Sequence, residues 1–296
     1  MVFEKKPLIL WLIMMLILCG CSAKGKRNKP LGRGPDRLYA KGLSLFNRGK
    51  HQRAMDVFKD VGSYYPESPE ALRAETKIAD CYFFRAEYEE AVAIYEEFRK
   101  LHPYHDDIPY IRFQIGEAYF KQMTSSDRDQ TSAREALSNF RYLVENYPPS
   151  IFTKAAEEKI PVCRRSLAEH EFLVGRFYYK KKNYQGAAAR FERILEMYSD
   201  TDLVPKTLFY LGMTFINLSL KDKARAAFLQ ITDQYPTSEY ASKAEAILRT
   251  EWNETEAGIG LERSRESGSN LSSRKNMKPP ELTIIPSRMA TDPLSR

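Results

Sequence analysis

A spacing of 37 residues constrains this chain more than anything else in it. Gly42, Ala79 and Gly116 stand 37 apart, as do Gly175 and Gly212, and the same interval separates Ala54 from Ala91 and Ala187 from Ala224. In four units the small residue precedes its alanine by 12 positions. An aromatic then follows the alanine by four: Phe58, Tyr95, Phe140 (after Ala136), Phe191 and Phe228. The units close on Tyr65-Pro66, His102-Pro103, Tyr147-Pro148, Tyr198-Ser199 and Tyr235-Pro236. Between these marks apolar residues recur at helical spacing, without Gly-rich punctuation. A unit this short cannot bury its apolar face alone, so self-similar units must stack and share one continuous core.

The offsets resemble the tetratricopeptide repeat: a small residue, an aromatic position three later (Leu45, Tyr82, Tyr119, Tyr178, Phe215), an alanine, a second aromatic, then proline. The small residue and the alanine let two helices approach, the aromatic fills the gap between them, and proline ends the second helix because it cannot continue the hydrogen-bonded ladder. The expected fold is therefore all-α: a solenoid of five helical hairpins over residues 36–252, with Glu239 to Trp252 as a capping helix over the last open face. Two departures are visible. Gly116 precedes Ala136 by 20, and the surplus around Thr124 to Thr131 reads as a polar loop inside the third hairpin. From Pro148 to Ser199 the interval is 51, which reads as a first helix lengthened at its N-terminal end and kinked near Pro161.

Charge separates this body from its ends. Residues 1–35 hold seven Lys/Arg against one Glu, and residues 253–296 hold seven against six. Of the 46 basic and 39 acidic residues in the whole chain, residues 36–252 therefore keep 32 of each. A neutral body offers no phosphate-neutralising surface, which argues against a nucleic-acid partner. At the N-terminus Lys5 and Lys6 precede a twelve-residue apolar run, Leu8 to Cys19. As a helix that run rises about 18 Å, too short for a bilayer core of about 30 Å, so residues 1–20 read as a signal peptide. Leu18-Cys19-Gly20-Cys21-Ser22 resembles a bacterial lipobox, with Cys21 as the acylated residue. Residues 21–35 then form a lipidated, flexible basic tether that can lie along anionic head groups. Ser22 in place of Asp resembles outer-membrane sorting. Cys81 and Cys163 fall within helical patterns and read as small core residues. Beyond 253, Gly, Ser and Pro dominate, and the tail to 296 reads as disordered.

With the lipoprotein signal, five units, His102-Pro103-Tyr104-His105 followed by Ile108 and Tyr110, and Asp127-Arg128-Asp129 before Ala133-Arg134, the chain resembles the BamD family, lipoprotein subunits of the β-barrel assembly machinery. The resemblance covers about residues 36 to 252; Ser199, Pro161 and the tail depart from it. It implies a non-enzymatic scaffold, lipid-anchored at the periplasmic face of the outer membrane. The implied partners are the POTRA region of a BamA-like barrel insertase, contacted by the C-terminal repeats, other Bam lipoproteins, and unfolded outer-membrane protein received near the N-terminal repeats. Another tetratricopeptide lipoprotein scaffold, such as a secretin or pilus pilotin or a cell-envelope coordinator, is the alternative.

Beside the core stripe runs a second one, three residues before each small residue and one and four after it, on one helical face. It reads Tyr39, Leu43, Phe46; Thr76, Asp80, Phe83; Phe113, Glu117, Phe120; Phe172, Arg176, Tyr179; Phe209, Met213, Ile216. In tetratricopeptide solenoids this face lines the concave groove. Tyr39, Phe46, Phe83, Phe84, Phe113 and Phe120 are thus candidate contacts for an extended chain, with polar contacts from Asp80 and Glu117; packing within the repeats is the competing reading. Asp127, Arg128, Asp129 and Arg134 form either a partner-docking element or a self-satisfied helix cap, with Asp129 or Thr131 as the capping residue. His102-x-x-His105-Asp106-Asp107 reads as a turn capped by Asp106 or Asp107 rather than as a metal site. No phosphate loop, HExxH or nucleophile motif is present, so neither catalytic residues nor a cofactor or metal is expected.

Overall fold

The computed structural model of the protein describes residues 34–266, with side chains as far as Trp252. The described residues form α-helices paired into hairpins, and no strand is present among them. Unit 1 is α1 (Pro35–Asn47) with α2 (His51–Tyr64), and unit 2 is α3 (Pro69–Phe84) with α4 (Tyr88–Leu101). Unit 3 is α5 (Ile108–Lys121) with α6 (Thr131–Asn146), and unit 4 is α7 (Ile151–Lys180) with α8 (Tyr184–Met197). Unit 5 is α9 (Val204–Asn217) with α10 (Lys221–Gln234), and α11 (Glu239–Glu266) follows.

Each mark in the repeat has a mechanical role. The aromatic after the alanine is fully buried in every unit: Phe58, Tyr95, Phe140, Phe191 and Phe228. Where the small residue is glycine, its partner ring leaves no room for a side chain. A Cβ built on Gly42, Gly116, Gly175 or Gly212 would lie 2.5–2.7 Å from a carbon of Phe58, Phe140, Phe191 or Phe228 respectively. The second helix of each unit ends with Tyr65, His102, Tyr147, Tyr198 or Tyr235 as its C-cap, the residue before proline in all units but the fourth. Proline also opens the next element in α1, α3, α5 and α9, where its missing N–H would have no helical partner anyway.

The turns inside the hairpins repeat as well. Gly49, Ala86, Lys182 and Ser219 all lie seven after the small residue, and all have φ between 60° and 71°. Each donates its N–H three residues back, and the following N–H reaches five back, closing the first helix (Gly49 to Phe46 and Lys50 to Leu45; Ser219 to Ile216 and Leu220 to Phe215). First helices of successive units touch one another (α1 with α3, α5 with α7, α7 with α9, α9 with α11), whereas the second helices make no comparable contact. The stack therefore closes up on the side of the first helices, which form its inner wall.

The lengthened helix of unit 4 is a 30-residue α7 that stays helical through Pro161. A capping box starts it: the Ser150 hydroxyl accepts from Thr153 N–H, and the Thr153 hydroxyl accepts from Ser150 N–H. Its middle is tied to the turn after α8, where Arg164 reaches both the Asp200 carboxylate and the Met197 carbonyl, and Arg165 pairs with Asp202 at 3.1 Å. α11 runs on to Glu266, past the boundary at 252 expected from the repeat pattern. Its first half packs Ala241 and Ala244 into the core beside Phe228, with Trp252 near that ring. Cys81 and Cys163 are free and fully buried, and burial pushes both thiols up to about 12. The signal peptide, Cys21 with most of the tether, and residues 267–296 lie outside the described residues.

Candidate functional site

The inner wall of units 1 to 3 brings the six candidate aromatics onto one surface, half-buried for the most part. Tyr39 leans on Phe58 with ring centroids 5.5 Å apart, and burial raises its phenol pKa. Phe46 meets Phe84 edge-on at 5.4 Å, and His51 stacks on Phe84 at 5.4 Å, so the three rings form one cluster. Phe83 abuts Phe84 and Tyr88. Phe113 lies against Phe140 and Phe152, and Phe120 against Phe140. Phe84 alone is widely open, with 56% of its surface exposed. Tyr39, Phe113 and Phe120 are thus anchored from behind by core aromatics, whereas Phe46, Phe83 and Phe84 lean on one another, His51 and Tyr88.

Lysines lie over the rings of this wall, which the repeat pattern did not suggest. Lys77 Nζ sits 5.5 Å from the Phe46 ring centre, Lys159 Nζ 4.6 Å from Phe120, and Lys206 Nζ 4.5 Å from Phe172. Two of the three are held by an acid: Lys77 donates to Asp80 at 2.6 Å, and Lys159 pairs with Glu117 at 2.8 Å. This corrects the expectation that Asp80 offers a polar contact to a ligand, whereas Glu117 stays partly exposed beside Lys159. Asp80 is 1% exposed and turned inward, where one carboxylate oxygen accepts from the hydroxyls of both Tyr95 and Tyr110, the latter at 2.6 Å. Gln114 donates to the Tyr110 hydroxyl in turn. The network joins units 2 and 3 across the wall. Burial, with the Asp80 charge beside them, raises the phenol pKa of both Tyr95 and Tyr110. One signal for it was legible: Tyr95 is a tyrosine where the other four units place phenylalanine, and a buried hydroxyl requires an acceptor.

The third-unit insertion folds onto α7. Gln130, absent from the candidates, is its anchor: it is buried, its amide donates to the carbonyls of Ser125 and Arg128, and its carbonyl accepts from the Ser166 hydroxyl. Ser126 donates to Glu169, and His170 Nδ1 lies 2.7 Å from the Ser126 carbonyl. Asp129 accepts from Thr131 N–H and hydroxyl, bonds that hold its carboxyl below the usual range, and Arg134 closes on Thr131 and Asp129. Asp129 and Arg134 thus satisfy one another around the start of α6, while Arg128 stays exposed at the loop tip. In the turn before α5, Asp107 occupies the N-cap position, as one of the two expected residues, but its side chain makes no capping bond. His105 Nδ1 accepts from Asp107 N–H at 3.1 Å, and His102 lies 3.9 Å from Glu75. Among the described residues no group of three or more His, Cys, Asp or Glu is placed to hold a metal ion, and no helix is long and apolar enough to cross a membrane.

Residues 33–229 match the family described as YfiO: Outer membrane lipoprotein. The outer membrane protein assembly factor BamD of Rickettsia prowazekii is 29% identical, covering 82% of this chain and 96% of the relative. The factor of the same name from Neisseria gonorrhoeae is 26% identical, covering 81% and 95%. Among solved structures, the TPR2AB-domain:pHSP90-complex of yeast Sti1 is 13% identical with a TM-score of 0.40, covering 76% of this chain and 87% of that one. The chain belongs to the YfiO family of outer membrane lipoproteins, and its role is that of an outer membrane protein assembly factor of the BamD kind.

Proposed function

We propose that this protein is a lipid-anchored scaffold of the β-barrel assembly machinery, tethered through Cys21 to the periplasmic face of the outer membrane. Its inner wall in units 1 to 3 holds an extended segment of unfolded outer-membrane protein. Its C-terminal repeats dock on the POTRA region of a BamA-like insertase, beside other Bam lipoproteins, and Arg128 at the loop tip is available to a further partner. It makes and breaks no covalent bonds.

The observation that carries this reading is the wall of half-open rings with lysines laid on them. An extended chain rises about 3.3 Å per residue and presents every second side chain to one face, so a wall of half-open rings along successive units suits its alternate apolar residues. Lysine stems over Phe46 and Phe120 keep the empty wall from being a bare apolar patch, and they can swing aside when a ligand ring arrives. Binding of this kind is reversible, as handing a substrate onward requires.

A synthetic peptide with the C-terminal strand of a barrel protein, titrated by fluorescence anisotropy, tests it. Phe83→Ala with Phe120→Ala weakens binding at least tenfold while the thermal unfolding curve stays that of a folded solenoid. Equal affinity in the double variant rejects the inner wall as the site.

A further inference from the structure

Read in register, unit 5 differs from units 2, 3 and 4 at three positions that face one groove. Four before the small residue, units 2 to 4 carry Glu75, Arg112 and Glu171. Each is engaged by its own second helix or that helix's end: Glu75 lies 3.9 Å from His102, Arg112 sits 3.7 Å from the Tyr142 ring centre, and Glu171 binds Arg190 at 2.9 Å. Unit 5 has Leu208 there. Three after the small residue, Tyr82, Tyr119 and Tyr178 give way to Phe215, and five after the alanine, Glu96, Arg141 and Glu192 give way to Leu229. The result is an apolar groove of about 650 Å³ between α8 and α10, floored by Leu208, Leu211 and Phe215 and walled by Leu195, Ala227 and Leu229. Leu229 is 41% exposed. Around the groove stand Glu192, Asp222 and Asp233, against the single base Lys223.

We propose that the chain's own C-terminal segment, residues 275–288, docks in this groove through Leu282, Ile284 and Ile285. Three features of the sequence fit it to the groove. Residues 267–296 carry five basic residues (Arg274, Lys275, Lys278, Arg288, Arg296) against Glu281 and Asp292, the complement of the acidic rim. Pro279, Pro280 and Pro286 bracket the apolar cluster and favour extended backbone, which lowers the entropy lost on docking. The reach also suffices. α11 starts next to Gln234 at the groove, and its 28 residues extend about 42 Å. The sixteen residues from Glu266 to Leu282 span up to about 53 Å when extended, enough to return along α11. A partner that uses this face must then displace the tail. The groove stands apart from the candidate rings of the inner wall, which lie in units 1 to 3.

Disulfide trapping in the full chain tests it. Leu229→Cys with Ile284→Cys is mildly oxidised in dilute solution and the disulfide is mapped by mass spectrometry; Asn217→Cys, exposed on α9, replaces Leu229→Cys as the control. Cys19 and Cys21 are replaced by serine in both variants, and Cys81 and Cys163 are too deeply buried to compete. The 229–284 disulfide forms within one chain at least tenfold faster than 217–284, and Lys275→Glu with Lys278→Glu slows it severalfold. Equal rates at the two positions, faster trapping at 217, a link between two chains, or no effect of the charge reversal would overturn it.

Discussion

Asp80 shows how one residue couples the core of this protein to its inner wall. It holds Lys77 on the outer side and the hydroxyls of Tyr95 and Tyr110 on the inner, so its loss strands buried donors in two units at once. Asp80→Ala is expected to cost about 3 kcal/mol of unfolding free energy. Tyr95→Phe, which restores the phenylalanine of the other units, removes one of those donors, so the double variant loses less than the sum of the singles in a urea-melt cycle. The pH dependence follows the same groups. The folded-state pKa values of both phenols lie above the unfolded value of about 10, so their contribution is complete below that pH and is lost as pH rises past it. Stability falls above pH 10 in the native chain, and less steeply in Tyr95→Phe. At this scale the sequence was only partly readable. The ring-to-glycine pairs followed from spacing alone, because one close approach admits one small residue. The inward turn of Asp80 toward Tyr95 and Tyr110, and the bond from Ser166 that fixes buried Gln130, depend on groups distant in sequence, which no helical period records.

At the scale of elements, the repeat specified helix pairing and left the turns to compensate. Ala86, Lys182 and Ser219 occupy the left-handed conformation that Gly49 adopts without strain. Ala86→Gly is therefore expected to stabilise the chain by about 0.5–1 kcal/mol, read as a raised melting midpoint. Gly175→Ala has the opposite sign. Its Cβ would stand 2.7 Å from the Phe191 ring, and the overpacking costs about 1–3 kcal/mol. Unit 2 carries alanine at the equivalent position, Ala79, fully buried in the same cluster as Tyr95, whose hydroxyl donates to Asp80. Loop and long helix were both legible as surplus length. That the loop clasps α7 through Gln130, Ser126 and His170 was not, since insertion length says nothing of where an insertion lands.

For the whole molecule, the proposal ties a stack of helical hairpins with an aromatic inner wall to a membrane at one end, while a basic tail follows at the other. The lipid address is testable directly: Cys21→Ser moves the protein from the membrane fraction to the soluble periplasmic fraction, and retention in membranes would assign the anchor elsewhere. The fold class and family were readable from five repeated marks, while the wall's openness was not, because a helical aromatic stripe is written the same way for a core and for a groove. Photo-cross-linking in cells decides whether the wall is open to a ligand. A photoreactive phenylalanine is placed either at position 83 on the inner wall or at Tyr104, 98% exposed at the turn between units 2 and 3. Nascent barrel protein is captured from position 83 and not from position 104 if the inner wall receives it; capture from 104 alone, or equally from both, rules the wall out.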